Sequence, residues 1–181
     1  MRLCASRHLT VKVFGSGKVL KKLLCEGFIM RRREKEITEM VGLEQILWQG
    51  RVCQLAITDL PAPYVVSLSY GYRDGVLYFH SAPEGHKLNL LHHNPVVGFS
   101  VVIDLGIAQA QTACNWGARF RSVVGHGQVD FIEDLESKRS ALKLLMAQYS
   151  DAEHTFPDMK ILKTCVFRLV ISQMTGKMSS V

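Results

Sequence analysis

Turn chemistry set between short β-favouring runs constrains this chain more than any other feature. Residues 59–63 contain two prolines, and Asp74-Gly75 is a dipeptide suited to the positive backbone angles of a tight hairpin. Around them lie stretches rich in Val, Tyr, Leu and Ser, which predict strands over 51–58, 64–72 and 76–80. Three further strand patterns run over 96–104, 120–132 and 164–174. Roughly six strands, few helices and no regular strand–helix–strand alternation argue against a doubly wound sheet. They point to a mainly β protein with peripheral helices, built as an antiparallel barrel.

Three segments have helical spacing instead. After Thr38, a suitable N-cap, the apolar residues Met40, Leu43, Ile46 and Leu47 repeat every three to four positions, and Gly50 follows as a stop. This helix is expected to lie on the sheet as a lid or plug. Ser81 and Glu84 have the spacing of a capping box and precede Lys87, Leu88, Leu90 and Leu91, so a short helix is expected to start there and end near Asn94-Pro95. A third helix over 135–149 carries Leu142, Leu145, Met146 and Tyr149 as core residues.

With 181 residues the chain suits one domain around one core. Its net charge of +6 is concentrated in residues 1–29, which hold six basic side chains against Glu26 and leave +1 for 30–181. A near-neutral body gives little support for a nucleic-acid groove, which needs clustered Lys and Arg. The leader is set apart as a basic extension preceding a domain over 30–181, with Met30 a natural start. Its Gly15-Ser16-Gly17-Lys18 misses the phosphate-loop pattern, because Lys12 stands where Gly is needed and Val19 where Ser or Thr is needed. No apolar run is long enough to span a bilayer, so no membrane partner is expected. Five dispersed cysteines, Cys4, Cys25, Cys53, Cys114 and Cys165, suggest neither a disulfide framework nor a zinc site and fit a reducing cytoplasm. His92-His93, His126 and His154 lack metal-ligand spacing, and no metal is expected.

The segment Tyr78-Phe79-His80-Ser81-Ala82-Pro83-Glu84-Gly85-His86-Lys87 is the most informative for chemistry. A strand here runs onto a helix start, where free amides, the helix dipole, a Ser hydroxyl and a Lys ammonium can gather around a phosphate. The same spacing also allows Ser81 simply to cap the helix with Glu84 answering it.

This segment resembles the pyridoxamine 5′-phosphate oxidase-like FMN-binding split-barrel superfamily, and within it the nitroimidazole-resistance branch. The likeness extends to Pro63-Tyr64-Val65-Val66-Ser67-Leu68-Ser69-Tyr70-Gly71, to Trp116-Gly117-Ala118-Arg119-Phe120-Arg121-Ser122-Val123-Val124-Gly125 and to Thr175-Gly176-Lys177, in order over about residues 30–178. The resemblance implies a six-stranded antiparallel split β-barrel with Greek-key connections, working as a homodimer that holds FMN between protomers. It implies that Val66, Ser67 and Leu68 line the isoalloxazine, and that His80, Ser81, Ala82 and Lys87 approach the ribityl-phosphate arm. Trp116, Ser122 and Val123 would lie near the flavin at the subunit boundary. His80 is the candidate catalytic proton donor, or else a group that hydrogen-bonds the cofactor. Arg119 and Arg121, on one strand face, would meet cofactor phosphate or acids across the interface.

Two positions depart from the branch pattern: Ser67 stands where Pro is often found, and His86 where Arg is common. The second makes phosphate binding weaker or pH-dependent. The expected activity is transfer of electrons from a reduced donor through FMN to a small aromatic or nitro-bearing acceptor. The alternative is a non-catalytic flavin- or haem-binding module. Oxidation of pyridoxamine phosphate itself fits less well, because no basic cluster near the C-terminus offers to hold a second phosphate.

Overall fold

The computed structural model describes residues 32–179. The basic leader with Gly15-Ser16-Gly17-Lys18, Cys4 and Cys25, and the Met30 start, lie outside the described residues. Those residues form one antiparallel sheet and four α-helices. The strands are β1 (Glu36–Ile37), β2 (Cys53–Ile57), β3 (Tyr64–Leu68), β4 (Gly71–Arg73), β5 (Val76–Ser81), β6 (Val96–Ala108), β7 (Gly117–Ile132) and β8 (Cys165–Ser179). The helices are α1 (Met40–Gln49), α2 (His86–His93), α3 (Leu135–Ala147) and α4 (Asp158–Leu162). The expected mainly β antiparallel barrel is thus what the chain forms. Of the eight strands, β1 is a two-residue addition paired to β8, and β4 is the tail of the run expected as one strand over 64–72.

That division closes the barrel. The ladder order is β3-β2-β6-β7-β8-β5-β4, so β3 and β4 are the two ends of the path. Only Ser69 and Tyr70 separate them in sequence, and three residue steps reach roughly 10 Å at most. The sheet must therefore curl until its ends meet. The β3–β4 corner is fixed by polar contacts: the Tyr70 hydroxyl donates to the Leu47 carbonyl at 2.6 Å, and the Tyr70 amide donates to the Tyr149 hydroxyl at 2.8 Å. Gln148, at the end of α3, donates through Nε2 to the carbonyls of Leu47, Trp48 and Gly50 at 2.8–2.9 Å, satisfying the C-terminal carbonyls of α1.

Inside, alternate residues of each strand form the core. Leu55, Leu77, Phe79, Phe99, Val101, Phe167 and Leu169 are buried, and Phe79 stacks on Phe167 with ring centroids 5.2 Å apart. Helix α1 adds buried Leu43, Ile46 and Leu47, as its spacing predicts, but Glu39 rather than Thr38 is the N-cap and no side chain caps it. Helix α3 begins at Asp134, whose carboxylate accepts from the Ser137 amide at 2.8 Å, and packs so closely on β4 that a Cβ on Gly71 would lie 2.6 Å from the Leu145 Cα. Helix α4 escapes sequence reading because five residues are too few to show a period. Among the described residues no helix is long and apolar enough to cross a membrane.

Candidate functional site

The site begins where β5 leaves the sheet. Along β5, Leu77 and Phe79 point into the core, so Tyr78 and His80 face the other way and Ser81 returns to the inner side. Ser81 pairs with Cys165 of β8, placing a hydroxyl and a thiol together at the rim. The expected capping box does not form. Ser81 is the last residue of β5, and its hydroxyl donates to the Ala82 carbonyl at 2.8 Å. Gly85 takes the N-cap of α2 instead, at φ 128, a backbone angle that side chains disfavour.

The Gly85 carbonyl accepts from the amides of Leu88 and Asn89. By helix geometry the amides of His86 and Lys87, one turn too early to reach a carbonyl, are left as the donors of the first turn. Lys87 is half-buried, and burial lowers its ammonium below the usual lysine range. Among the described residues no carboxylate pairs with it. Burial, followed by the charge of Lys87, also lowers His80, which favours a neutral imidazole. The Cys165 thiol is raised by burial, with Lys138, Ser81 and Lys87 acting in the opposite direction. The rim thus carries a partly desolvated cation, two amides and a hydroxyl, a set suited to an anion. Ala82 is exposed beside it.

Strand β3 borders this rim. Among the described residues it pairs with β2 alone, so its other edge is open. Its first residue, Tyr64, meets His86 of α2 edge-on with ring centroids 5.2 Å apart, and His86 Nε2 lies 2.8 Å from Asp59 Oδ2. Within β3 Val65 and Ser67 present their side chains outward, and Ser67 is the polar one. Val66 and Leu68 pack against the core, which leaves their backbone as the part able to meet a ligand.

The remaining predicted site residues are not brought to this rim within one chain. Ser122 and Val123 on β7 pair with Lys177 and Gly176, 12 and 11 positions along β8 from Cys165, the partner of Ser81. Val123, expected near a flavin at the subunit boundary, is fully buried, so its side chain packs in the core and its backbone is the part open to a ligand. Ser122 lies on the outer face, paired with Val102 and Lys177. Trp116, half exposed, sits in the β6–β7 connection with its indole donating to the Ala110 carbonyl at 2.8 Å. Arg119 is exposed and Arg121 half-buried, and neither forms an ion pair among the described residues.

Sequence reading missed two features. His80 lines a cavity of about 220 Å³ with Leu142, Leu145, Met146, Phe156 and Ile161, on the opposite side of β5 from Ser81. The outer face of β2, β3, β6 and β7 exposes Val65, Val96, Val102 and Val124 around small residues Ala56, Gly98 and Ser100. Among the described residues, Gln54 Oε1 on β2 and Gln173 Nε2 on neighbouring β8 are buried without partners. Strand alternation in the sequence was the one available signal for that face.

Comparison with known proteins agrees with this architecture. A family model described as pyridoxamine 5′-phosphate oxidase matches residues 42–178. The crystal structure of a candidate 5-nitroimidazole antibiotic resistance protein from Bacteroides thetaiotaomicron is 35% identical, covering 79% of this chain and 86% of that one with a TM-score of 0.71. A FAD-binding protein from Mesorhizobium loti is 27% identical over 78% of this chain and 96% of that one, TM-score 0.57. The flavocytochrome Anf3 from Azotobacter vinelandii shares the fold at 19% identity, covering 84% and 73% of the two chains with a TM-score of 0.74. No match was found among curated proteins. With the barrel, the matched span and a relative at this identity in agreement, the chain belongs to the pyridoxamine 5′-phosphate oxidase family.

Proposed function

We propose that this protein is a flavin-binding redox protein that holds FMN by its phosphate at the α2 rim and acts as a homodimer. The observation that carries the reading is Lys87: a partly desolvated ammonium, at a helix start, with no carboxylate partner among the described residues. A cation held this way favours a mobile anion. The FAD-binding and flavocytochrome relatives support a flavin as the molecule carrying it.

In this reading Lys87 and the amides of His86 and Lys87 bind the phosphate, and the Ser81 hydroxyl turns from the Ala82 carbonyl to donate to it as well. The open edge of β3 and the outward Ser67 orient the ring system. FMN, when bound, supplies the electron chemistry, with donor and acceptor exchanging electrons at the ring. The resemblance to the nitroimidazole-resistance branch favours a small aromatic or nitro-bearing acceptor. His80, whose pKa burial and then Lys87 lower, lines the cavity on the other face of β5 from Ser81, and for a ligand reaching that cavity it is the candidate hydrogen-bonding group from which a proton would be passed.

The dimer accounts for the outer face. Exposed Val65, Val96, Val102 and Val124 around small residues suit a second copy, which would bring Trp116 and Ser122 toward the first protomer's rim.

The absorption spectrum of freshly purified protein, followed by mass analysis of any released small molecule, tests the cofactor. Stopped-flow reduction with nicotinamide nucleotides then separates a turning-over enzyme from a binding module. Colourless protein that also fails to quench FMN fluorescence on titration refutes the proposal.

A further inference from the structure

We propose that His86 is a positioning residue. With Asp59 it forms a charge-dependent latch that holds the start of α2, and so Lys87 and the adjacent amides, against the start of β3. The inference rests on the flavin-site reading above.

The two ends of the latch lie 27 positions apart, in the β2–β3 turn and in the first residue of α2. Asp59 is oriented before it meets the histidine. Its Oδ1 accepts from the Leu60 amide at 2.8 Å, which aims Oδ2 at His86 Nε2, also at 2.8 Å. The Tyr64 ring stands edge-on to the imidazole at 88° and limits its swing. No side chain caps α2, so its first turn lacks the usual local anchor. The imidazole is therefore committed to the carboxylate, and the role expected from the branch pattern, direct contact with phosphate, passes to Lys87 and the backbone.

Asp59 stays ionised to lower pH than usual because His86, and then the Leu60 amide, stabilise its charge, so the carboxylate end of the latch keeps its charge.

Fluorescence titration with FMN on the full-length protein tests this. The informative quantity is the Kd at one fixed pH: His86→Arg, which keeps a donor facing Asp59, is expected to bind within about a factor of two of wild type, and to weaken about threefold once Asp59→Asn is added. Asp59→Asn and His86→Ala are each expected to weaken binding, and the double variant to be no worse than either alone.

The Asp59 variant separates a latch from direct contact. If His86 touched the phosphate itself, removing a nearby negative charge would leave affinity unchanged or improve it. That result, or losses that add in the Asp59→Asn, His86→Ala double variant, overturns the latch. Should Lys87→Ala also leave FMN affinity intact, the flavin site itself is wrong. If Lys87→Ala weakens binding while Asp59→Asn does not, the latch alone fails. Circular dichroism on each variant confirms that these surface substitutions leave the fold in place.

Discussion

Replacing Lys87 by Ala separates a residue kept for a ligand from one kept for the fold. In the protein without ligand, Lys87 is half-buried, lowered by desolvation and unpaired with any carboxylate among the described residues. Removing it deletes no ion pair and relieves a partly desolvated charge, so thermal stability without FMN is expected to hold or rise slightly. With FMN the same substitution removes a charge-assisted hydrogen bond to phosphate, worth about 1.5–3 kcal/mol. That corresponds to an increase of roughly 10- to 150-fold in Kd. Fluorescence titration gives the Kd, and thermal melts with and without FMN give the two stabilities, with the FMN-induced shift shrinking in the variant. Lys143→Ala, on the exposed side of α3, is the matched control and is expected to change neither. A Lys87→Ala protein that binds FMN within about a factor of two of wild type, or that loses stability without FMN, refutes the assignment.

Gln148→Leu is expected to destabilise by about 3 kcal/mol or more in urea unfolding, because it strips partners from the carbonyls of Trp48 and Gly50 and from the Tyr72 amide. Gly71→Ala should cost about 1–3 kcal/mol in the same assay, since the added methyl meets backbone atoms of Leu144 and Leu145 that cannot yield as a side chain would. His80, lowered in the folded state, takes up protons more readily when unfolded; its contribution is present above the ordinary histidine range and is lost as pH falls toward the lowered folded value. Thermal melts of His80→Gln should accordingly fall less than wild type between about pH 7 and about pH 5. Val124→Asp puts a charge on the exposed valine face and is expected to yield monomers by sedimentation while leaving the monomer folded.

Local chemistry made much of the barrel readable in advance. Asp74 and Gly75 do adopt positive φ angles, 49° and 78°, because a two-residue hairpin needs them and few other residues tolerate them. The alternation in 53–57 and 76–81 marked the core side of β2 and β5, and the stretch from Tyr78 to Lys87 pointed to a rim at a strand end. Both signals are written within a few residues, on the length scale of backbone sterics and side-chain direction.

Contacts between distant segments decided the rest. Nothing local marks Ser69 and Tyr70 as the corner between opposite ends of the sheet; the carbonyls of α1 and the Tyr149 hydroxyl hold them there from 23 and 79 positions away. Ser81 and Glu84 have the spacing of a cap, yet pairing of Ser81 with Cys165 extends β5 through that position and moves the helix start to Gly85. The motif named Lys87, but its lack of a carboxylate partner among the described residues is a property of everything folded around it. The same holds for the pairing of His86 with Asp59. An amino-acid pattern specifies which groups a segment can offer, whereas burial and partnership, which set their charge and their use, arise only when remote parts of the chain close on one another.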